Sequence, residues 1–447
     1  MNKQLLKKYM LVILASGLSG LSVSVHAANW LMLQGTEPAD TAARAKVWGF
    51  IQAQYQKDES DPNPSDGTYI PLKLVGPDFK SQEAFGVNRA RLGVRGTGMP
   101  IDSKVNYFLL AEFGHNGITA ANDGAGKMTD ASITLNHIKG ARVRVGLFKT
   151  PMAEEIYQGI ALFDYINFTI GTNHLLNERF ANADLKSAPL NPQNPKQTGI
   201  APDGFERGVG AGRDVGVQLF DAFQMGAWEH SYSVMYGNGN GLNYTDNDEN
   251  KDLYLYISSE KVFDGSGPRR NGMKFFIWSI DGKRTVDDDG TTGVISNKEF
   301  DRKRAGAGFK LVSQSLHMTV EYITAEGMIW LGPHKDNFDM NALGGAGDGR
   351  VGKADARYIE AGYRLPGMKW ELDLRYDEYH RLTNGPANLQ VNYTTTTLGA
   401  QYHFNKKSRF TFNYEDRAAE TASANASLYG HLSTLGPRIS AQITHIF

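Results

Sequence analysis

From Arg44 to Phe447 the chain is a series of segments in which every second residue is apolar, and nothing else in it constrains the fold as tightly. Val105, Tyr107, Leu109, Ala111 and Phe113 alternate with Lys104, Asn106 and Glu112, and Ala141, Val143, Val145 and Leu147 alternate with Arg142, Arg144 and Gly146. The same period runs through 228–236, 316–322, 370–377 and 409–415. A period of two puts successive side chains on opposite faces of a strand. About sixteen such segments follow one another, the first near Arg44 to Gln56. Two of them, 253–263 and 273–283, carry aromatics on both faces, as a strand would that meets a lumenal plug or a subunit contact.

Connection lengths alternate in strict order. Short ones lie near 98–102, 139–140, 221–227, 264–271, 313–314, 366–367 and 405–407. Long ones lie near 57–83, 115–127, 150–211, 238–251, 284–302, 327–353, 381–388 and 418–435. A soluble sandwich or propeller has no reason to sort its loops by parity. A membrane barrel does, with short periplasmic turns and long outer loops. The fold expected is therefore all-β: a transmembrane antiparallel β-barrel of about sixteen strands. The last segment agrees, since Ile439, Ala441, Ile443 and Phe447 share one face and a terminal Phe is what the outer-membrane insertion machinery reads. His445 stands where that signal usually has Tyr.

The amino terminus places the chain in the same compartment. Lys3, Lys7 and Lys8, an apolar run from Tyr9, and Val25-His26-Ala27 predict a signal peptide over 1–27, leaving 28–447 as the barrel. The absence of cysteine excludes disulfides, thiolate metal sites, covalent haem and cysteine nucleophiles. A net charge of −1 without a basic block excludes nucleic acid as a partner. Past the leader no run of about eighteen apolar residues offers a spanning helix. No cofactor or metal is expected: the acidic clusters 246–252 and 287–289 lack calcium-loop spacing, and Gly208 to Gly212 precedes a strand where a nucleotide loop needs a helix.

With both termini periplasmic, 150–211 is the third outer loop and the longest. Ile156, Tyr157, Leu162, Phe163, Tyr165 and Phe168 are too apolar for a solvated loop, so it is expected to fold against something. The inner barrel wall is one place, where the loop would narrow the pore; an extracellular cap or a subunit contact is another. Pro189 to Pro202 reads as its return path.

If apolar residues face lipid, their polar neighbours face the lumen, because a charge on the lipid side costs about 2–4 kcal/mol at mid-bilayer. That rule assigns Arg89, Arg91, Arg95, Lys104, Arg142, Arg144, Lys310, Arg364, Arg375 and Arg409 inward. Guanidinium forks match carboxylate and phosphate oxygens, and such a column lowers the barrier to anions. Gly93 and Gly146 are expected to leave room for these side chains. Glu112, Glu321, Glu371, Asp373, Asp377 and Glu415 are available for an opposing acidic strip, which would give a general porin of weak selectivity. An outer-membrane lipase or protease would need a serine or aspartate site, and His317, His403 and His431 form no constellation with a serine in sequence.

The segments Val87-Asn88-Arg89-Ala90-Arg91-Leu92-Gly93-Val94-Arg95-Gly96, Val143-Arg144-Val145-Gly146-Leu147-Phe148-Lys149-Thr150-Pro151 and Arg213-Asp214-Val215-Gly216-Val217-Gln218-Leu219 resemble strands of the phosphate-selective porins, the porin O and P family, in the same order. The ending from Gly436 to Phe447 also fits. The resemblance implies a homotrimer with an infolded third loop and a basic ladder for small anions, phosphate among them. It adds Lys149, which lies where the family has a basic residue ahead of the inner loop. The partners implied are outer-membrane lipid, lipopolysaccharide and small anionic solutes. Glu154-Glu155 directly after the loop's start depart from the family pattern.

Overall fold

The structure, a computed structural model, describes residues 29–37, 42–61, 82–97, 102–119, 126–178, 181–182, 204–205, 210–242, 246, 248–287, 297–329, 351–422 and 430–447. The expected leader and the stretch Pro189 to Pro202 lie outside them. Eighteen strands follow in chain order: β1 (Lys46–Asp58), β2 (Glu83–Thr97), β3 (Val105–Glu112), β4 (Lys127–Leu135), β5 (Arg142–Lys149), β6 (Ala181–Asn182), β7 (Gly204–Phe205), β8 (Arg213–Met225), β9 (Trp228–Gly237), β10 (Asp252–Asp264), β11 (Asn271–Asp287), β12 (Asn297–Ser313), β13 (Leu316–Glu326), β14 (Lys353–Arg364), β15 (Trp370–Arg381), β16 (Val391–His403), β17 (Ser408–Thr421) and β18 (Arg438–Ile446). All but β6 and β7 pair antiparallel with their neighbours in one closed ring of sixteen, with β18 returning to β1. The two short strands pair with each other inside the third loop.

Burial is inverted relative to a soluble protein. The covered face of the wall is polar: Gln52, Gln54 and Gln56 on β1, Thr411, Asn413 and Glu415 on β17, Ser440, Gln442 and Thr444 on β18. The open face carries Ile51, Leu92, Leu109, Ile133, Val145, Val217, Ile277, Leu374 and Leu398. Only hydrocarbon is a good solvent for that face, and closure leaves no strand edge unpaired within it. Aromatics mark both rims of the apolar band. Phe85, Phe113 and Tyr236 lie toward the long loops, and Phe223, Phe263, Tyr363, Trp370 and Phe404 toward the short turns. Such belts suit the headgroup region at each interface.

Three local features explain how the wall holds its register. The amide of Phe447 donates to the carbonyl of Gly49 (3.0 Å), and its ring lies where a side chain at position 49 would sit. The closing seam therefore needs both residues. In β2 a bulge shifts the pairing so that Gln52 faces Arg89 while Ala53 faces Val87, and Asn88 and Arg89 are both buried inward. The expected role of Gly93 is corrected: a Cβ there would meet the Trp48 indole at 2.9 Å, so the vacated space houses Trp48 and not a leaning arginine. Gly146 has φ +125°, and a Cβ would meet the Ala131 carbonyl at 2.2 Å, so it kinks β5 against β4.

Among the described residues, two chain segments enter the lumen. Residues 29–37, with a single 3-10 turn at Trp30–Leu33, lie inside, as do residues 150–178 of the third loop. Trp30, Leu31, Met32, Ile156 and Tyr157 form one buried apolar cluster with the inward residues Tyr254, Tyr256, Phe276 and Trp278. That packing accounts for the strands with aromatics on both faces: their inner set meets the plug.

Candidate functional site

The third loop enters the lumen through a helical turn at Glu154–Tyr157, a 3-10 turn at Ile160–Leu162 and a π-type turn at Thr172–Leu176. It lies against the wall formed by β11 to β17. Its backbone amides donate to that wall: Glu154 N–H to Glu321 (3.1 Å), Ile166 N–H to Asn413 (2.8 Å) and Ile170 N–H to Asp377 (3.1 Å). Asn167 adds a side-chain bond to Glu415 (2.9 Å). Buried carboxylates require donors, and here the loop's own amides supply part of them.

The loop's acids answer cations on the same wall. Glu154 accepts from Lys274 (2.5 Å), Lys310 (3.0 Å) and the Trp30 indole N–H (3.0 Å). Glu155 accepts from the Thr169 amide (2.8 Å) and from Arg375 (3.3 Å). Asp164 takes both forks of Arg269 (2.8 and 3.0 Å) and lies 3.6 Å from Arg409. Glu154, Glu155 and Asp164 are thus the loop's anchors. Burial alone would raise the Glu154 carboxyl, but the two ammonium groups hold it below the ordinary range.

Across the ring, β2, β5 and β8 carry the inward basic residues Arg89, Arg91, Arg95, Arg142, Arg144 and Arg213. Arg91 pairs with Glu112 (2.7 Å), Arg213 with Asp130 (3.4 Å), Arg142 with Asp221 (3.1 Å) and Arg95 with Glu37. Arg89 donates to Gln52 (3.0 Å), and Arg144 to Gln218 (2.9 Å) and to the carbonyl of Gln34. Lys149 donates to the carbonyls of Ile156 (3.1 Å), Tyr157 (3.3 Å) and Gln158 (2.6 Å), tying the loop's first turn to the end of β5.

Two open spaces of the lumen lie on this basic side. A cavity of about 240 Å³ is bounded by Arg91, Arg95, Arg144, Lys149 and Arg213, with apolar walls from β1, β3, the loop and the amino-terminal segment. A smaller space toward the outer loops shares Arg91, Lys149, Ile160 and Arg213 with it, and adds Arg89, Asn116 and Thr119. No carboxylate lines either space among the described residues.

The eleven basic candidates therefore separate into groups. Arg89, Arg91, Arg95, Arg144 and Lys149 border the open spaces. Arg142 lies between Asp221 and Asn136 near the turns. Lys310, Arg375 and Arg409 face inward but beneath the third loop, so their place on an open path is corrected: they clamp the loop. Lys104 and Arg364 are corrected too. Lys104 sits in the turn before β3 and Arg364 at the last position of β14, both exposed beyond the enclosed wall. Parity was right for them, but they lie at or just outside a strand end.

Sequence reasoning missed Arg213 and the whole of residues 29–37. Arg213 was visible as the first residue of an alternating strand. The amino-terminal segment had only the run Trp30-Leu31-Met32-Leu33 to mark it. His317 and His403 both turn to Glu371 (2.9 and 3.1 Å) and not to a serine. Asp164, His317 and Glu371 converge within 4.8 Å, but Asp164 is already held by Arg269, so the group is a charge network.

No family model matches the chain, and no curated protein matches it. Solved structures do. In vitro folded OmpT of Vibrio cholerae, an outer membrane protein in trimer form, aligns at TM-score 0.52 and 11% identity over 91% of this chain and 100% of that one. The anion-selective porin from Comamonas acidovorans gives 0.52 and 13% over 91% and 100%. The outer membrane channel DcaP of Acinetobacter baumannii gives 0.50 and 13% over 93% and 100%. At such identity the likeness is one of fold, and the fold is that of the sixteen-stranded porin barrels of the Gram-negative outer membrane.

Proposed function

We propose that the chain is an outer-membrane porin: a water-filled channel for passive diffusion of small solutes, with a preference for anions, phosphate among them. The observation that carries the preference is the lining of these two lumenal spaces by Arg89, Arg91, Arg95, Arg144, Lys149 and Arg213, with no carboxylate among the described residues. Inward acids and bases are both numerous, but the third loop covers much of the carboxylate-rich wall. What a solute meets is then the basic side, where fixed positive charge lowers the barrier for anions and raises it for cations. Assembly as a trimer is proposed by analogy with the trimeric OmpT barrel. No catalysis is proposed.

A general porin of weak selectivity is the second reading. It is favoured by Glu112 and Asp130, which pair with Arg91 and Arg213 at the edge of the same spaces. Reversal potentials across planar bilayers in a KCl gradient decide between them. An anion-selective sign that moves toward cations in Arg91→Ala and Arg144→Ala supports the first; a potential near zero in the parent protein supports the second.

A further inference from the structure

The larger lumenal space is chemically two-sided. Trp48 and Phe50 from β1, Phe108 and Leu110 from β3, Trp30 from the amino-terminal segment and Ile160 from the third loop give it walls of rings and branched carbons. Arg91, Arg95, Arg144, Lys149 and Arg213 supply the rest of its character. A path for inorganic anions has no use for such walls, since apolar surface offers a hydrated ion nothing in place of its water. A solute with a hydrocarbon body would gain by leaving water there.

The charge at this space is only partly compensated. Arg91, Arg213 and Arg95 each have a carboxylate partner, in Glu112, Asp130 and Glu37. Arg144 and Lys149 have no carboxylate within ion-pair distance among the described residues. Arg144 donates to amide, hydroxyl and carbonyl oxygens and lies over the Phe220 ring (4.3 Å). Lys149 donates only to main-chain carbonyls. Arg144's hydrogen bonds are met while its positive charge remains, held by groups that themselves carry no charge. An anion is the species that completes this arrangement.

We infer that this space is a binding subsite for organic monocarboxylates with an apolar body, an aromatic or branched-chain acid being the class. The body lies against Phe50, Phe108, Leu110 and Trp30, and the carboxylate turns toward Arg144. This rests on the anion-path reading above and deepens it. The outer space, which shares Arg91, Lys149, Ile160 and Arg213 with the larger one, is the approach from the cell exterior. The two-sided lining sorts solutes by shape of polarity as well as by sign.

The test is block of chloride current through the purified protein in planar bilayers by benzoate, acetate, inorganic phosphate, benzylammonium and benzyl alcohol. Benzoate is expected to half-block at a concentration at least tenfold below acetate and phosphate. Benzylammonium and benzyl alcohol should leave the current unchanged over that range. Phe108→Gln should reduce the advantage of benzoate over acetate to under threefold. Equal block by benzoate and acetate in the parent protein overturns the subsite, as does block by benzyl alcohol at benzoate's concentration. If the parent current is carried by potassium, the anion-path reading itself has failed, which the gradient measurement shows separately from either result.

Discussion

Glu154→Gln separates the charge of the third loop from its position. Glu154 is 1% exposed and is the shared acceptor of Lys274 and Lys310. Breaking a buried ion pair by removing one partner costs about 3–5 kcal/mol, and glutamine keeps an acceptor oxygen, which places the loss near the low end. The loop should stay docked, because Ile166, Asn167, Ile170 and Asp164 hold it at independent points on the wall. The change at the pore is then one added positive charge. With an ion passing about 10 Å away and an effective dielectric constant of about 40, that charge contributes roughly 0.8 kcal/mol, opposite in sign for anion and cation. Screening in 0.1 M salt, where the Debye length is about 10 Å, cuts each figure to roughly 0.3 kcal/mol. The chloride-to-potassium permeability ratio should rise about threefold at 0.1 M and about sevenfold at 0.01 M. Reversal potentials at the two salt concentrations measure it, with single-channel conductance as the check on loop position. An unchanged ratio at both concentrations refutes the placement of Glu154 beside the path. A large rise in conductance without a change in ratio refutes the independence of the loop's other anchors.

Other outcomes follow from the same geometry. Trp30→Ala removes a buried indole from between the loop and the wall. It should lower thermal stability by about 3 kcal/mol and raise single-channel conductance, and unchanged conductance would place residues 29–37 off the path. Leu398→Arg and Thr397→Arg are neighbours on β16 with opposite faces, Leu398 being 54% exposed and Thr397 fully buried. The first should cost about 2–4 kcal/mol in equilibrium folding into lipid bilayers, and the second should mainly alter current. Equal destabilisation of the two would mean the faces are wrongly assigned.

What could be read from the sequence was the wall. Alternation is a local property of each strand, so residues such as Leu92, Leu109 and Leu398 announce their side without any knowledge of their neighbours. The parity of loop lengths adds the direction of each strand. What a basic residue faces once inside is not local. Arg144 and Arg375 look alike in sequence, each flanked by apolar residues, yet one borders open space and the other lies under Asn167 and Glu155 of a loop about two hundred positions away. Lys104 and Arg364 show the other failure, because period-two reasoning does not say where a strand stops. Residues 29–37 had no period to read, and their place in the lumen comes from contacts with β2, β3, β5 and β9.

The lack of any native cysteine makes the central claim directly measurable. Single cysteines can be placed at Phe50 and Phe108 on the basic side and at Asp377 and Asn413 on the wall that the third loop covers, and probed with a small anionic thiol reagent during recording. Modification at positions 50 and 108 should reduce the current within the recording, while positions 377 and 413 stay silent. Rapid reaction at 377 and 413 with inert cysteines at 50 and 108 would mean that solutes pass along the opposite wall.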